Sequence, residues 1–108
     1  MKPKRGEIWF ADLGIVAKPR PVLVVSWKDP DPPRVLLTYI PLTRQNRGSA
    51  YEVPLGHLPF LHKDSVANVQ GIGALPSVRF ERKVGALSDT DMASIEAAIL
   101  YSLGITPH

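Results

Sequence analysis

Two residues of this chain, Arg20 and Thr43, stand where a cation and a hydroxyl can be brought to one place. Arg20 opens the run Arg20-Pro21-Val22-Leu23-Val24-Val25-Ser26. Thr43 closes the run from Arg34 to Thr43, in which Val35-Leu36-Leu37-Thr38-Tyr39-Ile40-Pro41-Leu42 is rich in strand-forming residues. A guanidinium keeps its charge and offers a planar fork of donors suited to a phosphate or a carboxylate. If the two runs are neighbouring antiparallel strands, the start of one and the end of the other share one end of the sheet. A guanidinium there can stabilise charge building on phosphoryl oxygens, while a hydroxyl orients the phosphate or relays a proton. In RNA the 2′-hydroxyl can itself be the nucleophile, so neither a metal nor a protein nucleophile is compulsory. Taken singly, Arg20 also fits a cation that caps a carbonyl or pairs with a carboxylate, and Thr43 a strand-end hydrogen bond.

The surrounding residues extend the phosphate reading. Arg44 and Arg47 follow Thr43 and can track a nucleic-acid backbone, and Trp9, Trp27 or Tyr51 can stack an unpaired base. His57 and His62 offer an acid/base pair, although a Pro-rich connector suits them better as surface residues. No His-x-His or His-Glu-x-x-His spacing supplies a metal site, and no Gly-rich loop ahead of a helix or Gly-x-Ser-x-Gly elbow is present. No cofactor is expected.

The elements that must hold these residues are mostly strands. Glu7 to Leu13 reads as a first strand ending at Gly14, and Gly14 to Pro19 as a short loop that enters the Arg20 strand extended. Asp29-Pro30-Asp31-Pro32-Pro33 excludes regular structure, and Arg44 to Ala50 is polar and mobile in composition. Tyr51 to Leu55 reads as a short edge strand, because Pro54 is tolerated only at an edge or bulge. Gly56 to Leu61 is a connector packed by its apolar residues. Lys63 to Ile72 reads as a further strand, with Gly71 and Gly73 marking a bulge or close backbone approach. A helical turn fits around Pro76 to Phe80, followed by a last strand from Glu81 to Leu87. Ser88 then caps a helix with Asp89 and Asp91 in its first turn; Met92, Ile95, Ile99 and Leu103 recur at helical spacing, and Gly104 ends it with Pro107 just beyond. These elements predict a mainly β, α+β chain, a small curved antiparallel barrel capped by a C-terminal helix.

Composition sets outer limits. The 108 residues suit one domain, and with no cysteine neither disulfides nor thiolate metal sites can form. The basic N-terminus leads into a run broken by Glu7 and Asp12, and no apolar stretch approaches the ~20 residues of a membrane span. A soluble cytoplasmic protein with no membrane partner is expected. Net charge is +3, carried by the first twenty residues, whereas the last twenty-two hold Asp89, Asp91 and Glu96 and no Lys or Arg. A basic face opposite an acidic helix follows, favouring a polyanion.

Five segments now fall into one order: Lys4-Arg5-Gly6-Glu7-Ile8-Trp9-Phe10-Ala11-Asp12-Leu13, Arg20-Pro21-Val22-Leu23-Val24-Val25-Ser26, Ile40-Pro41-Leu42-Thr43, Lys63-Asp64-Ser65-Val66, and Val84-Gly85-Ala86-Leu87-Ser88 before an Ala-rich helix. In this the chain resembles the MazF/PemK family of toxin endoribonucleases over about residues 4 to 104. The resemblance implies an SH3-like barrel, a homodimer, and metal-independent cleavage of single-stranded RNA at a short sequence. It also implies a toxin held inactive by a cognate antitoxin whose acidic tail covers the RNA groove. Arg20 matches the family's catalytic arginine, Thr43 its catalytic threonine, and Gln70 the glutamine near its RNA-binding face. Lys18, Trp27, Arg44, Arg47 and Gln70 are the RNA contacts expected on this basis. The chain departs from the family in the short loop before Arg20 and in Gly71-Ile72-Gly73-Ala74, where the family places Arg-Thr after the isoleucine. A non-catalytic RNA- or protein-binding member of the same barrel class is the alternative, and a module for proline-rich peptides lacks an aromatic-lined groove.

Overall fold

The computed structural model describes residues 2–14 and 18–106. Pro107, and residues 15–17 of the loop expected between Gly14 and Pro19, lie outside the described residues. Seven strands precede one helix: β1 (Glu7–Ala11), β2 (Arg20–Val24), β3 (Leu36–Thr43), β4 (Glu52–Pro54), β5 (Val66–Asn68), β6 (Gly73–Pro76), β7 (Phe80–Ala86) and α1 (Asp89–Leu103). Short 3₁₀ turns occupy Val69–Gly71 and Ser77–Arg79, the second where a helical turn is predicted.

All strand pairs are antiparallel, in the order β4-β5-β3-β2-β1-β7, with β6 also paired to β3. The first three strands form the expected meander. β3 is the hub: its first half pairs with β6 and its last two residues with β5, while β2 runs along its other edge. Among the described residues no pairing joins β4 to β7, so the antiparallel barrel-like sheet curls without closing.

Burial on both faces explains the uninterrupted apolar run of β2. Alternation sends Leu23, Val25 and Ile40 into a core with Ile8, Leu55, Val69 and Ile95, whereas Val22 and Val24 join Trp9, Ala11 and Phe80 in a second cluster. Each fully buried Val, Leu or Ile contributes roughly 1.5–3 kcal/mol. The middle of the chain is therefore stiff.

α1 keeps its predicted limits. Ser88 Oγ accepts from Asp91 N at 3.1 Å, and Gly104 adopts the left-handed conformation, φ 68°, that closes a helix without cost only in residues lacking Cβ. Ile95 and Ala98 are buried, but Leu103, predicted for the same apolar face, is 56% exposed, because the sheet beneath α1 ends before its last turn.

The strand predicted over Lys63 to Ile72 is shorter in the structure. Asn68 Oδ1 accepts from Gln70 N at 3.2 Å, offering the backbone a turn in place of a ladder, and the chain rounds the Val69–Gly71 turn. Gly71 then passes so close to β3 that a Cβ on it would lie 2.6 Å from Pro41 Cγ, the close approach the two glycines predict. No helix among the described residues is long and apolar enough to cross a membrane.

Candidate functional site

One transverse row of the sheet carries the candidate site. Ala11 pairs with Phe80 on one side and with Arg20 on the other, and Thr43 pairs with Val66. The β2–β3 ladder runs from Val24 opposite Tyr39 to Val22 opposite Pro41, so Arg20 and Thr43, each two residues beyond its last pair, lie at the same end of the two strands. Side chains alternate along a strand, which puts Arg20 on the face of Val22 and Val24, beside its β1 partner, the fully buried Ala11. The apolar cluster beneath fixes the backbone, and the charged end of Arg20 is exposed.

The environment leaves both groups available. Thr43 Oγ1 accepts from Gln45 N at 3.2 Å, which uses a lone pair and keeps its O–H able to donate. Asp12, next in sequence to Ala11, is engaged elsewhere: it accepts from Gly14 N at 2.8 Å and lies 3.5 Å from the Arg79 guanidinium. Among the described residues no ion pair involves Arg20, Lys18, Arg44 or Arg47. The end of the sheet is consequently a cluster of unneutralised cations around a hydroxyl.

The structure brings several expected contacts to this row. Lys18 is exposed two residues ahead of Arg20, and Arg44 and Arg47 are exposed in the loop that leaves Thr43. Gln70 is exposed on the 3₁₀ turn that packs against Pro41, two residues before Thr43 on the same face. Trp27 is not brought there. A hydrogen bond from Val25 N to Thr38 O, at 2.9 Å, carries the β2–β3 ladder one residue past β2; Thr38 N then turns to Ser26 Oγ, and Trp27 follows outside the ladder, at the end away from Arg20. Six residues lie between it and Arg20, a span of at most about 23 Å. Trp9 is not a stacking surface either: it is buried, and its Nε1 donates to Glu7 Oε1 at 3.0 Å. Tyr51 packs edge-on against Tyr101, with centroids 5.3 Å apart. His57 faces Asp91, with Nε2 3.0 Å from Oδ1, and His62 Nδ1 accepts from Asp64 N at 3.1 Å. Both are exposed surface residues that each engage one acid, and no cluster of three potential metal ligands occurs among the described residues.

Two residues that sequence reading overlooked shape the site. Glu52, at the start of β4, accepts from Arg47 N at 3.1 and 3.0 Å, Ser49 N at 3.1 Å and Ser49 Oγ at 2.8 Å. The amides of Arg47 and Ser49, then the Ser49 hydroxyl, hold its carboxyl below the usual carboxylate range. The loop from Arg44 to Ala50 is exposed throughout, as its composition predicts, and these bonds tie its far half to the start of β4. The signal was present as Ser49-x-x-Glu52, the pattern of a capping box outside a helix. Arg79 is the second: beside its contact with Asp12, its carbonyl accepts from Asp12 N at 2.9 Å, fastening the stem of the loop that leads to Arg20.

Comparison with known proteins places this geometry. A family model described as a PemK-like, MazF-like toxin of type II toxin-antitoxin system matches residues 4–103. Among solved structures, the Mycobacterium tuberculosis toxin MazF-mt6 superposes with a TM-score of 0.80 at 26% identity, covering 94% of this chain and 99% of that one. An endoribonuclease in complex with its cognate antitoxin, from a mycobacterial species, gives a TM-score of 0.85 at 24% identity over 98% of this chain and 99% of the other. MazF in a MazE-MazF complex from Deinococcus radiodurans gives 0.80 at 19% identity, over 98% and 99%.

Proposed function

As the chain belongs to the PemK-like, MazF-like toxin family of type II toxin-antitoxin systems, we propose that it is a sequence-selective endoribonuclease that cuts single-stranded messenger RNA without a metal, arresting translation and growth. The observation that carries this reading is that Arg20 and Thr43 lie at one end of the β2–β3 pair above a buried apolar cluster, with no ion pair to the arginine among the described residues.

The chemistry follows from those two groups. The substrate 2′-oxygen attacks the adjacent phosphorus, the bond from phosphorus to the 5′-oxygen breaks, and the proton lost by the 2′-hydroxyl is balanced by one gained at the leaving oxygen. Negative charge builds on the non-bridging oxygens, where the Arg20 fork meets it. Thr43 orients the phosphate through its free O–H or relays a proton. Lys18, Arg44 and Arg47 hold flanking phosphates, and Gln70 has donors and acceptors for an unpaired base edge. A cytoplasmic location suits this substrate.

Two protein partners belong to the reading. An acidic antitoxin segment covers the cationic end of the sheet, in keeping with the solved relatives that are complexes with a cognate antitoxin or with MazE. A second copy of the chain meets the opposite end, where Trp27 is 80%, Leu36 44% and Ile72 36% exposed. Exposed apolar residues of this size close together mark an interaction surface, and the one arginine there, Arg5, is paired with Glu96, so it adds no net charge against a second chain.

The test is incubation of the purified protein with a long single-stranded RNA in EDTA, beside Arg20→Ala and Thr43→Ala, with the fragment ends mapped. Discrete cuts by the wild type that vanish in both variants support the reading. Intact RNA with salt-sensitive binding converts it to an RNA-binding member that does not cut.

A further inference from the structure

The loop from Arg44 to Ala50 is polar, rich in arginine and carries Gly48 at φ 70°, yet each of its turns is tied. Thr43 Oγ1 takes Gln45 N, Asn46 Oδ1 takes Gly48 N at 2.8 Å, and the Glu52 carboxylate takes both Arg47 N and Ser49 N. Glu52 is in turn the register partner of Asn68, whose side chain caps the turn bearing Gln70. Thr43, Arg47, Glu52, Asn68 and Gln70 form one connected frame. Glu52 spends its oxygens on amides and a hydroxyl; the Arg47 charge also favours its ionised form, but among the described residues no close ion pair engages the guanidinium of Arg44 or Arg47.

We propose that Glu52 is a positioning residue for RNA: it holds the Arg44–Ala50 arm in its binding shape beside Thr43, so that a carboxylate next to the polyanion's path strengthens binding. The inference rests on the reading of the site as an RNA-cleaving one. Two effects of opposite sign compete at Glu52. Its charge repels a nearby phosphate, and this is weakened by solvent at an exposed site. Its hydrogen bonds set the arm in advance, so that binding need not freeze seven residues. The four contacts it makes put the second effect ahead.

The test compares the wild type with Glu52→Gln, which removes the charge and half the acceptor capacity while keeping the shape. Two quantities are read: amide hydrogen exchange at Arg47 and Ser49, with Ile8 and Leu23 as core controls, and affinity for a single-stranded oligonucleotide made uncuttable by a 2′-deoxy sugar at the mapped cut. Exchange at Arg47 and Ser49 alone should quicken, affinity should fall about tenfold, and kcat on the cuttable RNA should hold, because ordering the arm is paid at binding. In an Arg47→Ala background the same substitution should cost less than in the wild type. Affinity that is equal or tighter in Glu52→Gln, or exchange that does not change, overturns the proposal. A wild type that ignores RNA overturns the reading of the site with it, and the exchange data then show separately whether Glu52 holds the arm.

Discussion

The β2–β3 pair ends in opposite chemistry. At one end lie Arg20 and Thr43 and at the other Trp27 and Leu36, each beyond the last paired residues of the two strands. The strands between are the same, and Val22, Leu23, Val24 and Ile40 are fully buried along them. What differs is where the chain goes next. At the first end it passes into loops tied by Asp12 and Glu52, each of which takes backbone amides and leaves nearby cations exposed. At the second it passes into Asp29-Pro30-Asp31-Pro32-Pro33, and a cleft of about 420 Å³ opens between the strands and α1, lined by Val25, Trp27, Ile99 and Leu100 together with the ion-paired Arg5 and Glu96. One pair of strands thus ends in exposed cations on one side and in the exposed Trp27 on the other, at most about 23 Å apart along the chain.

The largest effect expected from that division is at the cationic end. Arg20→Ala should lower the cleavage rate by about 10²–10³, the scale of losing one group that stabilises transition-state charge. The thermal midpoint should hold, because the Arg20 side chain is exposed. Cleavage kinetics and a melting curve on the same preparation check both halves. An equal loss of stability would mean that Arg20 is structural and that the two ends are not independent.

The apolar end should break in the complementary way. Trp27→Glu puts a charge in place of the exposed aromatic, and the chain should then sediment as one copy at concentrations where the wild type runs as two. Losing a central aromatic anchor commonly weakens association by about 2 kcal/mol or more. Arg20→Ala should leave the sedimentation of the wild type unchanged. Trp27→Glu that still runs as a pair would move the interface elsewhere.

The two ends were unequally legible in the sequence. Arg20 and Thr43 could be paired from strand order alone, since a meander brings the start of its second strand to the end of its third. The helix from Ser88 to Gly104 was legible because its caps are local chemistry, as was the turn near Ser77. Trp27 could not be placed from sequence, because an exposed tryptophan suits a base and a protein surface alike, and only the pairing of β2 with β3 shows which end of the strands it occupies. Glu52 was missed because its partners, Arg47 and Ser49, lie in a loop whose composition reads as mobile. Loop order comes from hydrogen bonds that composition does not reveal. Arg79 needed the pairing of Ala11 with Phe80, a contact between distant segments.

A smaller effect concerns the strand edge that supports the apolar end. Glu7, opposite Ala86, is 14% exposed; it accepts from Lys4 N at 2.8 Å and Trp9 Nε1 at 3.0 Å, with Lys83 Nζ 3.0 Å away. Burial alone would raise its pKa, but Trp9, Lys4 and Lys83 together bring it below the ordinary glutamate value. A carboxylate lowered in the folded state contributes stability that is present above its unfolded pKa and is lost as pH falls through the folded one. Glu7→Ala should cost about 1–2 kcal/mol at neutral pH. Denaturant midpoints of the two proteins should converge as the pH drops below the glutamate range. A gap that stays constant with pH would assign the loss to packing and leave the charge without a part in it.

The smallest effect returns to the cationic end and concerns only its outer cations. Arg47 is exposed and held through its backbone, so Arg47→Ala removes a guanidinium and leaves the Glu52 contacts, which go to the amide, in place. A single-strand phosphate contact contributes about 0.7 to the slope of log affinity against log salt. The variant should therefore lose affinity similarly on every RNA sequence, show a slope shallower by about that amount, and keep the cut positions. A titration of affinity against salt, with end mapping, reads all three. A change in cut position with an unaltered slope would show that Arg47 reads a base, and sequence selection would then extend outward from Thr43 into the arm. Because the backbone clamp survives this substitution and fails in Glu52→Gln, the two variants separate what the arm's charge does from what its shape does.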